Sequence, residues 1–142
     1  MKNLILFLVC TFLFSADDKA PSQRTRDRDV DIHHIKIDIT VDLEKKSVSG
    51  NVTHTLSALN SSLSEFELDA EDMEIHRVIL DGKDISYNHH GDKVFLSLNK
   101  PIGWEDTVKV RLDYTAHPRK GTFFIAPDSV YPGKPWQAWT QG

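Results

Sequence analysis

The sequence predicts an all-β, antiparallel domain, built as a sandwich or a saddle-like curved sheet, and three observations carry that reading. Apolar and polar residues alternate with period two over residues 35–43, turn signals such as Asp81-Gly82 recur at short intervals, and no stretch shows an apolar repeat at long helical spacing. Strands in such number and so evenly spaced belong to layered antiparallel sheets rather than to βαβ units.

Residues 1–16 read as a secretory signal peptide. Lys2 supplies a positive start, Leu4 to Phe14 an apolar run, and Ser15-Ala16 small residues for cleavage. The apolar run is far shorter than the ~20 residues that span a bilayer, so no stable membrane span is predicted. Export to a periplasmic or extracellular compartment follows. Removing this segment takes Cys10 and Lys2 with it, which leaves a chain without cysteine and moves the net charge from −4 to −5. An acidic chain without a basic face is a poor nucleic-acid binder. Residues 17–30 mix arginines and aspartates with no apolar period and read as a disordered polar leader.

Ile35, Ile37, Ile39, Val41 and Leu43 alternate with polar residues, the mark of a strand with one wet face. Glu44 to Ser47 form a polar turn, and Val48, Val52 and Leu56 continue the alternation in a returning strand. Gly50 inside that strand marks a bulge or a close backbone approach. Phe66, Leu68 and Ala70 form a third strand whose other face carries Glu65, Glu67, Asp69 and Glu71; these acids read as a solvated face that resists edge pairing. Val78 to Leu80 run into the Asp81-Gly82 hairpin signal, and His89 to Asp92 read as a further turn before Val94, Leu96 and Leu98. After a loop with Pro101, Gly103 and Trp104, Val108, Val110, Leu112 and Tyr114 form the last clear strand.

The chemistry available inside this chain is limited. Its seven histidines include two adjacent pairs, His33-His34 and His89-His90, and three isolated residues, His54, His76 and His117. Adjacent strand residues point to opposite faces, and no His-Glu-x-x-His or paired Cys/His spacing occurs, so no metal site is predicted within the chain. There is also no Gly-x-Ser-x-Gly elbow and no Gly-rich phosphate loop. The run Trp136-Gln137-Ala138-Trp139-Thr140-Gln141-Gly142, by contrast, interleaves aromatics with amides and a hydroxyl, a composition suited to a ligand-facing wall.

Residues 31–42, from Asp31-Ile32-His33-His34 to Asp42, resemble the opening strand of the zinc aminopeptidases related to aminopeptidase N and leukotriene hydrolase, a gluzincin metallopeptidase family. The likeness continues through Val48 to Val52, Phe66 to Leu68, Val78 to Gly82, Val94 to Leu98, Val108 to Tyr114 and Pro118 to Phe124. Pro135 to Gly142 resembles that family's Thr-Gln-Gly-Glu or Thr-Gln-Cys-Glu segment. This resemblance implies that residues 31–142 are part of an amino-terminal β-domain, incomplete at its C-terminal end, of a secreted enzyme that removes amino-terminal residues from peptides. It implies substrate-binding roles for Gln141 and Gly142. In the family a glutamate at the next position holds the free α-amino group, and zinc lies in a catalytic domain continuous with the β-domain. This chain alone is therefore expected to bind no zinc, hold no catalytic residue and be inactive, while contributing to recognition of the substrate terminus and to domain packing. A stand-alone secreted β-sandwich that binds peptide or carbohydrate through Trp136 and Trp139 is the alternative.

Overall fold

The computed structural model describes residues 28–140, so the predicted signal peptide and most of the polar leader lie outside the described residues. Ten strands follow one another: β1 (Val30–Asp42), β2 (Ser47–Ala58), β3 (Leu63–Asp69), β4 (Met73–Leu80), β5 (Lys83–Asp84), β6 (Tyr87–His90), β7 (Lys93–Ile102), β8 (Val108–Ala116), β9 (Thr122–Ile125) and β10 (Gln137–Thr140). All pairings are antiparallel. They build a five-stranded sheet in the order β1-β2-β8-β4-β5, a three-stranded sheet β3-β7-β6 and a two-stranded ribbon β10-β9. The predicted all-β antiparallel class holds, and none of the sheets closes into a barrel. No helix among the described residues is long and apolar enough to cross a membrane.

The two larger sheets share one core. Leu56, Val78, Val110, Leu112 and Tyr114 of the first meet Phe66, Val94, Leu96 and Leu98 of the second in a single buried cluster. Period-two alternation places these side chains inward, as the burial of β8 shows: Val108, Val110, Leu112 and Tyr114 are buried while Lys109 and Arg111 are exposed. The Tyr87 hydroxyl donates to the Ile75 carbonyl at 2.9 Å, linking β6 of the small sheet to β4 of the large one. Turn chemistry follows the sequence at Asp81-Gly82, where φ is 46° and 83°, the paired positive values of a two-residue type I′ hairpin. Asp81 further anchors this turn by accepting the Lys109 N–H on its carboxylate at 2.8 Å.

Three local readings change. His89 and His90 are the last residues of β6, and the turn is confined to Gly91-Asp92, because the backbone pairs His90 with Lys93. Glu71 leaves the acidic strand face, since β3 ends at Asp69 and Glu71 lies in the turn before β4. Glu67 is ion-paired with Lys93 across the strands, and Ser97 donates to Glu65. The apolar side of β1 is the third: Ile35, Ile37, Ile39 and Val41 are 48, 58, 49 and 44% exposed, so among the described residues nothing covers the face opposite the wet one. Val30, at the start of β1, packs against the shared core, whereas the apolar residues further along the strand are exposed.

Candidate functional site

The segment after β8 carries the interleaved aromatic and amide residues, and one carboxylate positions it. Asp72, in the turn between β3 and β4, has a left-handed backbone at φ 56°. Its carbonyl accepts the His117 N–H at 2.9 Å, while its carboxylate accepts the Arg119 N–H at 3.2 Å and the Arg119 Nε–H at 2.7 Å. The guanidinium hydrogen bond, reinforced by the backbone N–H, holds the Asp72 carboxyl below its usual range and raises Arg119 in turn. The chain is thereby fixed as it leaves the large sheet, and Gly121 at φ 76° turns it into β9.

In the ribbon, Thr122 pairs with Thr140, Phe123 with Trp139, Phe124 with Ala138 and Ile125 with Gln137. Phe123 and Trp139 stack with ring centroids 4.3 Å apart and planes 18° from parallel. This aromatic cross-strand pair stabilises a ribbon that, as two isolated strands, would be marginal in water. The connecting loop is organised by Asp128: its carboxylate accepts the Val130 and Tyr131 N–H groups at 2.9 and 2.8 Å and the Lys134 ammonium at 3.3 Å. Those bonds, the Tyr131 N–H first, hold the Asp128 carboxyl below its ordinary value. Trp136, Trp139, Phe123 and Tyr131 remain exposed, which makes the ribbon and its loop an aromatic ledge. Its hydrogen-bonding members are Gln137 and Thr140, both exposed. Gln141 and Gly142, the predicted substrate-binding residues, follow directly on β10 but lie outside the described residues.

The ledge holds no nucleophile paired with a base. Elsewhere, among the described residues, no three His, Cys, Asp or Glu side chains converge to hold a metal ion. The histidine pairs are separated by their strand geometry: His33 sits at the bulge between Ile32 and His34 and bonds Ser57 at 2.9 Å. His54 is the residue whose setting sequence reasoning did not reveal. It lies on β2 beside an apolar cavity of about 170 Å³ lined also by Val52, Leu68, Met73, Leu112 and Tyr114, with its Nδ1 unpartnered among the described residues.

Burial lowers the His54 pKa below 6.5, because the charged ring loses hydration and gains no partner. The unfolded chain then binds the proton more tightly than the folded one, so stability present above pH 6.5 falls as the pH drops through and below that value. Thermal denaturation should show this loss as the pH falls below about 6.5, and His54→Gln should flatten it. A second loss belongs below pH 3.8, where Asp42, Asp72, Asp84 and Asp128, all held below that ordinary value, become protonated.

No protein-family model matches the chain, and no curated protein matches it. Solved structures do. The M1 zinc metallopeptidase from Deinococcus radiodurans is 24% identical with a TM-score of 0.54, over 67% of this chain and 22% of that one. The native leukotriene A4 hydrolase of Saccharomyces cerevisiae is 18% identical at TM-score 0.60, over 68% and 17%. The yeast enzyme in complex with bestatin gives 18% and 0.61, over 81% and 20%. The described β-sandwich thus has a fold found within M1 zinc metallopeptidases and leukotriene A4 hydrolase. The chain spans about a fifth of the length of the structures it matches.

Proposed function

We propose that the chain is the amino-terminal β-domain portion of a secreted, zinc-dependent aminopeptidase of the M1 class, and that its last segment helps receive the free terminus of a peptide substrate. The observation that carries this reading is the backbone match to M1 metallopeptidases and leukotriene A4 hydrolase over two thirds or more of the chain. A variant of the Deinococcus enzyme has been solved with a Tyr-Ser-Ala substrate bound, which supports peptides as the substrate class. The ribbon supports the role of the final residues: β10 leads directly to Gln141 and Gly142, and its base is braced through Arg119 and Asp72.

An exopeptidase must distinguish a terminal ammonium from an internal amide. Fixed amide and carboxylate acceptors do so through charge-assisted hydrogen bonds that an internal peptide nitrogen cannot make. A β-domain that closes the far end of a cleft is a suitable place for them. Zinc, held by a catalytic domain, would polarise the scissile carbonyl and activate water. The residues described here contribute shape and orientation.

The test uses the protein expressed from its native gene and a panel of aminoacyl-4-nitroanilides. Chelator-sensitive release of nitroaniline is expected, lost by about 100-fold or more when the substrate amine is acetylated. The 142-residue chain by itself should release none. Equal turnover of free and acetylated substrates, or none by the native gene product, would count against the proposal.

A further inference from the structure

The β3–β4 turn ties three parts of the fold together. The Ala70 N–H donates to the Asp92 carbonyl at 2.7 Å, which holds the turn to the β6–β7 connection of the small sheet. The Asp72 carbonyl accepts the His117 N–H at 2.9 Å as the chain leaves β8 of the large sheet. The Asp72 carboxylate, its side chain 17% exposed, takes the Arg119 N–H at 3.2 Å and the Nε–H at 2.7 Å, with Nη2 2.6 Å away. Guanidinium and carboxylate thus meet in a charge-assisted contact that fixes direction as well as distance.

These bonds end where the ribbon begins. Thr122, the first residue of β9, comes three positions after Arg119, and antiparallel register sets it opposite Thr140, the last residue of β10. The end of β10 therefore returns to the base of the ribbon, beside the strand that Arg119 anchors. One step further out, the stacked Phe123 and Trp139 rings hold the two strands in register, so the ribbon moves with its base. A displacement of Arg119 is carried through Gly121 and the Thr122–Thr140 pair to the point from which the chain continues into Gln141 and Gly142.

We infer that the Asp72–Arg119 pair is a positioning element for selection of the free amine: it sets the place of the end of β10, and so of the acceptors that follow, without touching the substrate. This role rests on the amine recognition proposed above. A pair that only held the sandwich together would act on the fraction of enzyme that is folded, and its loss would lower turnover of every substrate alike. A positioning pair acts on the one interaction whose geometry it sets, where a misplacement of about 1 Å can cost about 100-fold. Asp72 stands at φ 56°, a conformation that Asn also adopts readily, so Asp72→Asn removes the charge without straining the turn.

The experiment uses the enzyme expressed from its native gene, with aminoacyl-4-nitroanilides and their N-acetyl forms. Asp72→Asn and Arg119→Gln should each raise KM for the free-amine substrates at least about tenfold, keep kcat within about twofold of wild type, and leave the slow turnover of the acetylated forms unchanged. The double variant should be no worse than the more impaired single one, since both substitutions remove one contact. With a wild type that prefers the free amine, an unchanged KM in both variants, equal losses on free and acetylated substrates, or additive losses in the double variant would each overturn the inference. A wild type with no such preference would overturn the proposed function and the positioning role with it.

Discussion

Phe66→Ala should cost about 3–5 kcal/mol of folding stability, read as a fall in the urea midpoint with an unchanged denaturant slope. Phe66 is 2% exposed and is the one phenylalanine in the buried cluster shared by the two larger sheets. It stands on β3, opposite Leu96 of β7, where the small sheet faces the large one. Removing the ring forfeits its transfer free energy and leaves a cavity between rigid layers, which β-sheets fill poorly. Against a total stability of about 5–15 kcal/mol, that is a large fraction, and among the described residues there is no helix to offset it. Phe66→Leu retains most of the volume and should cost less than half as much. Equal costs for the two substitutions would mean that the site is not packed as described.

The alternation that identifies Phe66 as inward is legible without coordinates, and so are the hairpins at Glu44 to Ser47 and Asp81-Gly82. Both rest on local rules: period-two burial, and the left-handed backbone that Asp-Gly adopts readily. Less legible was anything decided by pairing at long range. The strand order β1-β2-β8-β4-β5 inserts β8 between β2 and β4, and no local signal announces it. His90 reads as a turn residue from its Gly91-Asp92 neighbours, yet register draws it into β6 opposite Lys93. The isoleucines of β1 look like core residues by pattern alone. Among the described residues they are nevertheless about half exposed, and only Val30 at the start of the strand packs against the shared core.

The terminal aromatic segment shows the same division. Its aromatic and amide composition is evident in the sequence, and the resemblance places Gln141 and Gly142 in it. The bracing of that segment is not evident, because Asp72 and Arg119 lie 47 positions apart and meet only once β4 and β8 pair. An Asp in a short turn signals a cap or a loop, and its partner becomes visible only in three dimensions.

Gly50→Val is expected to abolish stable pairing of β1 with β2, at a cost of about 3 kcal/mol or more. Gly50 reads in the sequence as a bulge or a close approach, and the structure shows the close approach: it faces Ile39 across the β1–β2 pair. A Cβ at this position would stand 2.2 Å from the Asp38 carbonyl oxygen and 2.9 Å from the Ile39 Cα. Both are backbone atoms, so no side-chain rotation relieves the clash. The backbone is also at φ 149°, which L residues rarely adopt, so strain adds to overlap. Relief requires β1 to move away from β2 near its centre, where Asp38 pairs with Asn51 and Ile37 with Val52. Because β2 is also paired with β8, the damage should be confined to β1 while the rest of the sandwich retains its core. Hydrogen exchange distinguishes this outcome: amides of β1 should lose protection in Gly50→Val, while those of β7 and β8 keep theirs. Retained protection of β1 in a folded Gly50→Val chain would show that β1 and β2 do not approach as closely as described.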